Sequence, residues 1–218
     1  MDLKELTSYV QNGNAKKTSE LVQLGLDKKM SPTVILNEGL IEAMDIIGAK
    51  FKNGEVYVPE MLMAARAMNE GMKILEPILT ASGIKPLGVA VIGTVKGDLH
   101  DIGKNLVRMM LKGSGIVVYD IGVDAPAEAF VNKAEEVGAQ IVLLSALLTT
   151  TMPSMRDVVD EFTKRGIRDK YVFMIGGAPV TTNFAKEIGA DRYTADAETA
   201  AEVAKEILVN ISKNSVLA

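Results

Sequence analysis

The sequence predicts an α/β protein in two parts, an N-terminal four-helix bundle followed by a doubly wound, five-stranded parallel sheet. Three observations carry this. Apolar residues recur at helical spacing over roughly the first eighty positions. A break containing Gly and Pro falls at Ser82-Gly83-Ile84-Lys85-Pro86. From Leu87 onward, short apolar runs alternate with amphipathic stretches, the pattern of repeated βα units. The parts are therefore drawn as residues 1–84 and 85–218.

In the first part, Leu3, Leu6 and Val10 have helical spacing, and so do Leu21, Leu24 and Met30 with their neighbours. Ser31 suits an N-cap, and Pro32 suits the first helical position, where a missing N–H is harmless. Ile35, Leu40, Ile41, Met44 and Ile47 continue that helix to about Lys50. Asn53-Gly54 marks a turn, and Pro59 opens a fourth helix with Met61, Leu62, Ala65, Met68, Met72 and Leu75. Short connections imply an antiparallel bundle. In the second part, strands are expected at 87–92, 116–119, 141–145 and 171–175, with a short one near 191–193. Helices are expected at 101–113, 126–137, 152–166, 180–188 and 196–211, with a frayed tail after Asn210. Such sheets bind ligands beyond the carboxyl ends of their strands, at a topological switch point.

Composition narrows the function. The 218 residues include 24 Lys+Arg and 28 Asp+Glu, a formal net charge of −4, which argues against a broad nucleic-acid footprint. There are no cysteines, so disulfides, thiolate metal sites and cysteine nucleophiles are excluded together. The N-terminus lacks the basic-then-apolar order of a signal peptide, and no apolar run approaches the roughly 18 residues of a membrane span. A soluble, cytoplasmic protein is expected, with no membrane or nucleic-acid partner.

The most informative segment follows the first strand: Gly93-Thr94-Val95-Lys96-Gly97-Asp98-Leu99-His100-Asp101-Ile102-Gly103-Lys104-Asn105. It fails as a phosphate loop, because Gly97 to Gly103 encloses five residues and Asn105 follows Lys104. It fails as a dinucleotide fingerprint, because its glycines are too far apart. What remains is a carboxylate, Asp98, two residues before the only histidine, His100. Neutral imidazole is a good metal ligand, and a carboxylate on its second nitrogen fixes the tautomer and raises basicity. One histidine without cysteines cannot build a zinc cage, but it can supply one axial ligand to a metal already held in a macrocycle.

At this point the chain resembles the cobalamin-binding domain shared by methionine synthase, corrinoid methyl carriers and cobalamin mutases. That pattern is Asp-x-His-x-x-Gly, a gap of about 41 residues, Ser-x-Leu, then about 26–28 residues and Gly-Gly. Here Asp98-Leu99-His100-Asp101-Ile102-Gly103 is followed by 41 residues, Ser145-Ala146-Leu147, 28 residues and Gly176-Gly177. The resemblance implies a flavodoxin-like (Rossmann-like) domain that binds cobalamin or a related corrinoid, with His100 on cobalt in place of the displaced lower base. It implies that Asp98, Asp101 and Gly103 flank the ligand. Ser145 and Leu147 would line a slot for the nucleotide tail, and Gly176 and Gly177 would let the backbone approach that tail. Thr149 and Thr151 match hydroxyl positions near the corrinoid and the Asp-His pair. The helical part is similar to the cap of methionine synthase, with Phe51, Val58 and Met61 where the family covers the upper cobalt face.

Plainer readings stand beside these. Asp98 and Asp101 could cap the following helix, and Phe51 could be bundle core. The other methionines at 63, 68 and 72 read as core filler. Lys104 and Asn105 could bond corrinoid side groups or sit on a solvated helix turn. The resemblance implies a methyl carrier serving a substrate-specific methyltransferase and an acceptor methyltransferase, with a reductive activator, and not catalytic alone. No catalytic acid, base or substrate pocket of its own is visible. The alternatives are a cobalamin-dependent sensor or regulator, which would need an output domain, and a mutase subunit, which lacks this cap. Methylamines, methanol, methoxylated aromatics and betaines are all donors served by carriers of this appearance.

Overall fold

The computed structural model describes residues 1–83 and 86–216, with side chains through 213. The expected division between residues 84 and 85 lies outside the described residues. The chain forms two compact units, one before and one after that segment, with Gly113–Gly115 grouped with the first.

The first unit is helical. Helix α1 spans Leu3–Gln11 and α2 spans Ala15–Asp27. Next, α3 (Pro32–Ile35), a π-helical segment (Leu36–Ile41) and α4 (Glu42–Lys52) follow without a break, and α5 spans Val58–Ala81. Caps explain the starts. Asp2 Oδ1 accepts from the Lys4 N–H at 2.9 Å, and Asn14 Oδ1 accepts from the Lys17 N–H at 3.1 Å. The Tyr57 N–H donates to Glu60 Oε2 at 3.0 Å at the head of α5. Ser31 stands at the expected N-cap but makes no side-chain capping bond.

The buried set includes Leu6, Val10, Val22, Ile35, Leu40, Met61 and Leu75. Leu24 departs from expectation and is exposed, because α2 turns Thr18, Val22 and Gly25 inward instead. Close approach is the reason: a Cβ on Gly71 of α5 would already meet Thr18 Cγ2 at 3.2 Å and Leu40 Cδ1 at 3.1 Å. The π-helical segment was not legible from periodicity. It sets Gly39 against α1, where a Cβ would lie 2.5 Å from Leu6 Cδ2, and the Thr7 hydroxyl reaches the Gly39 carbonyl at 3.2 Å.

The second unit is a five-stranded parallel sheet in the order β2-β1-β3-β4-β5. Its strands are β1 (Val89–Thr94), β2 (Val117–Asp120), β3 (Ile141–Ser145), β4 (Val172–Gly176) and β5 (Arg192–Tyr193). Its helices are α6 (Ile102–Gly113), α7 (Ala127–Val137), α8 (Pro153–Lys164), α9 (Thr182–Ile188) and α10 (Ala197–Val216). Residues 211–216, expected to be frayed, continue α10; no Gly or Pro interrupts the helix before Val216. One core cluster joins Val91, Val142 and Phe173 to Phe130, Val158 and Phe162. Phe162 meets the rings of Tyr171 and Phe173 edge-on, with centroids 5.0 and 4.9 Å away. The strand order reverses between β1 and β3, so a crevice at their carboxyl ends is the expected ligand position. Among the described residues, no helix is long and apolar enough to cross a membrane.

Candidate functional site

The carboxyl ends of three strands lie in register. Thr94 of β1 pairs with Ser145 of β3, and Ser145 pairs with Gly176 of β4. Past this row, β1 turns sharply. The Asp98 N–H donates to the Val95 carbonyl at 3.1 Å, with Gly97 in the left-handed region at φ +84°. The turn drops the Asp98 side chain into the protein, fully buried.

Both carboxylate oxygens of Asp98 are used. Oδ1 accepts from the His100 N–H at 3.0 Å and lies 2.7 Å from His100 Nδ1. Oδ2 accepts from the Thr151 hydroxyl at 2.6 Å and from the N–H groups of Leu147 at 2.8 Å and Leu148 at 3.3 Å. Burial alone would raise the Asp98 pKa. The Thr151 hydroxyl, the His100 and Leu147 N–H groups and the His100 ring outweigh it, and hold the carboxyl well below its usual range. Asp98 is thus a buried anion that binds the β1 and β3 loops together, rather than a simple helix cap.

His100 is oriented from two sides. Asp98 holds Nδ1, and the Thr94 hydroxyl donates to the His100 carbonyl at 2.9 Å. The ring is half-exposed, and among the described residues Nε2 takes no hydrogen bond. With Nδ1–H directed at a carboxylate, the free lone pair lies on Nε2. Next to His100 in the chain, and at the two residues whose N–H groups bind Asp98, the chain exposes Leu99 (71%), Ile102 (84%), Leu147 (43%) and Leu148 (42%), four large apolar side chains beyond the carboxyl ends of β1 and β3.

Other expected residues fall as follows. Ser145 is partly buried at the end of β3. Gly103 faces open space, with nothing within 4 Å of a Cβ built there. Asp101 accepts from Asn105 Nδ2 at 2.9 Å, and its carbonyl accepts from the Asn105 N–H at 2.7 Å, so it starts α6. Thr149 is exposed and does not join the Asp98 group, whereas Thr151 does. Gly176 is tight but tolerable, its Cβ position 3.3 Å from the Thr194 carbonyl oxygen. Gly177, at φ +138°, would place a Cβ 1.8 Å from the Ala146 carbonyl oxygen, so the chain's own backbone already requires a glycine there. Phe51, Val58 and Met61 belong to the first unit; Phe51 is half-buried, Val58 exposed and Met61 fully buried.

Lys104 overturns the expectation of a solvated helix turn or a free ligand-binding amine. It is buried, with Nζ 2.5 Å from Asp120 Oδ2. Arg108 Nη1 lies 2.8 Å from the same oxygen, and Asp120 Oδ1 accepts from the Gly122 N–H at 2.9 Å. Burial raises the Asp120 pKa, but the Lys104 ammonium and the Gly122 N–H outweigh it and lower it overall. Thr94 and the Asp120 cluster were missed in the sequence; only the positions of Thr94 and Asp120 at strand ends could have flagged them.

Among the described residues, no group of three or more His, Cys, Asp or Glu could hold a bare metal ion. The donor set is one oriented imidazole beside an apolar rim, at the sheet's switch point, and it fits a metal delivered inside a large flat macrocycle.

Comparison with known proteins agrees. Residues 88–205 match a family described as B12 binding domain, and residues 2–76 match a second of the same description. A corrinoid protein of Desulfitobacterium hafniense (strain Y51) is 39% identical over 209 residues, covering 94% of this chain and 97% of its own. Dimethylamine corrinoid protein 1 of Methanosarcina mazei is 43% identical over 209 residues, covering 95% and 96%. The crystal structure of a cobalamin-binding protein from Desulfitobacterium hafniense DCB-2 superposes with a TM-score of 0.77 at 30% identity, covering 94% and 98%. The methanol:cobalamin methyltransferase complex MtaBC of Methanosarcina barkeri matches with a TM-score of 0.85 at 27% identity, covering 94% of this chain and 78% of that one. The buried Asp98, the oriented His100 and these matches over nearly the whole length lead to one conclusion: the chain belongs to the B12-binding corrinoid proteins.

Proposed function

We propose that this protein carries a methyl group on a bound corrinoid, between a substrate-specific methyltransferase and an acceptor methyltransferase. A reductive activator is the third partner, and the cytoplasm is the compartment. The observation that carries the reading is His100: its ring is held at Nδ1 by a buried carboxylate, bare at Nε2 and bordered by apolar surface. A bound corrinoid supplies a cobalt centre that accepts and releases a methyl group.

The chain's own residues do the rest. His100 offers Nε2 as a single axial donor. Asp98 fixes the tautomer and, as an anion, makes the imidazole a stronger donor. The Thr151 hydroxyl donates to that carboxylate and keeps it charged, so Asp98, paired with the imidazole, is the group able to hold a proton when the imidazole lets go. Leu99, Ile102 and Leu148 offer exposed apolar surface for the corrinoid to cover, and Leu147 lines the tail slot with Ser145. Gly103 leaves room for the ligand, and Ser145 and Gly176 line the row where its tail enters. Gly177 shapes that row by letting β4 close on Ala146. Phe51 and Val58 keep their assignment to the cap. Met61, fully buried, supports the cap from within. Because relatives are named dimethylamine corrinoid proteins, methylamines are the first donors to test.

The test is reconstitution with cobalamin, with visible spectra of wild type and His100→Ala. The reading expects both to hold cobalamin, with the lower-ligand band shifted in the variant. Identical spectra would remove the axial role, and no retained corrinoid in wild type would remove the function.

A further inference from the structure

Asp124 lies in the β2–α7 loop, 24 residues beyond His100, and no motif marks it. It is one of two non-glycine residues in the left-handed region among the described residues, at φ +51°. Its carboxylate Oδ1 accepts from the Gly97 N–H at 2.7 Å. Its own N–H donates to the Asp98 carbonyl at 2.9 Å. Both bonds land on the two residues of the turn that drops Asp98 into the protein.

The loop that presents Asp124 is itself tied down. The Gly122 carbonyl accepts from the Thr94 N–H at 3.0 Å, and the Ala125 N–H donates to the Thr94 carbonyl at 3.0 Å. Asp120, held by Lys104 and Arg108, receives the Gly122 N–H. Glycine would sit at φ +51° with less strain. An aspartate there trades that ease for a carboxylate strut, and Asp tolerates this region better than most residues.

We infer that Asp124 is a positioning residue for the lower ligand: it clamps the Gly97-Asp98 turn so that Asp98 meets His100 Nδ1 and Nε2 faces the corrinoid. The inference rests on the reading of His100 as the axial donor. Asp124 bonds the turn at Gly97 and Asp98, not the imidazole, and acts through that turn.

Cobinamide, a corrinoid without a lower base or nucleotide tail, isolates the effect, since the protein must then supply any lower ligand. Affinities for cobinamide are measured by titration for wild type, Asp124→Asn, Asp124→Gly, His100→Ala and Asp124→Gly/His100→Ala. Asp124→Gly keeps the backbone conformation and loses the strut; it is expected to weaken binding about fivefold. Asp124→Asn keeps an acceptor oxygen and should stay within about twofold of wild type. In the His100→Ala background, Asp124→Gly should have no further effect, because there is no axial donor left to position. A loss of equal size in both backgrounds would overturn the inference, as it would mark a merely structural role. Wild-type affinity for Asp124→Gly would overturn it too. If His100→Ala alone changes nothing, the axial reading of His100 has failed instead.

Discussion

The Thr151 hydroxyl sits 2.6 Å from Asp98 Oδ2, and both groups are buried. The Leu148 carbonyl is also within reach of that hydroxyl, at 2.9 Å, but its single proton goes to the charged acceptor. Thr151→Ser should preserve the bond. Thr151→Val should leave Oδ2 with backbone donors only and cost about 1–2 kcal/mol. Urea unfolding of the two variants checks this, and equal stabilities would deny the bond its weight.

Asp98 should make stability pH-dependent with a definite sign. Its folded pKa lies below the unfolded value, so the unfolded state binds the proton more readily. Its contribution is complete above the ordinary carboxylate range, about pH 4, and is lost as pH falls from there toward the depressed native value. Asp98→Asn should cost about 2–3 kcal/mol at neutral pH, because an amide meets donors where the carboxylate accepted. It should also flatten the acid limb of the stability curve, as read by thermal melts from pH 7 downward.

Two glycines should behave oppositely. Gly177→Ala drives a Cβ to 1.8 Å from the Ala146 carbonyl oxygen, and the variant is expected to lose about 3 kcal/mol or more, or fail to accumulate. Gly103→Ala meets nothing within 4 Å and lies in α6, so the corrinoid-free protein should melt no lower than wild type. Its corrinoid affinity should fall, because the added methyl occupies surface assigned to the ligand. Melting and titration together check the pair.

Lys104→Met removes the buried ammonium beside Asp120. Arg108 remains, half-exposed, and offsets part of the loss, so a cost of about 2–3 kcal/mol is expected, short of what a wholly unpaired buried charge would bring. Adding Asp120→Asn to Lys104→Met should recover part of it, read by denaturant midpoints.

Periodicity made most of the fold legible. The strand expected at 141–145 is observed as Ile141–Ser145, because a short apolar run between turn signals admits few other readings. The π-helical segment and the outward Leu24 were not legible, since both depend on small residues of other helices, Thr7 and Gly71, reached only after folding. In the site, Asp98 two residues before the only histidine, His100, stood out from the residues themselves, whereas the hydroxyl of Thr151 beside Asp98 was expected only from the family resemblance and is observed bonded to it. Asp124 and the Lys104–Asp120 pair were not, because their meaning lies in backbone conformation and burial. Gly177 was legible as a glycine but for a different reason: it clears its own neighbour Ala146.

The central claim is that His100 supplies the protein's ligand to cobalt. Because the chain holds a single histidine, labelling with nitrogen-15 histidine alters one residue alone. The electron paramagnetic resonance spectrum of the cobalamin-loaded protein, in the cobalt(II) state, then reads the lower ligand directly. The account predicts that the threefold nitrogen splitting of the unlabelled protein becomes twofold on labelling. A splitting that stays threefold would show that cobalamin keeps its own base, and would contradict the account.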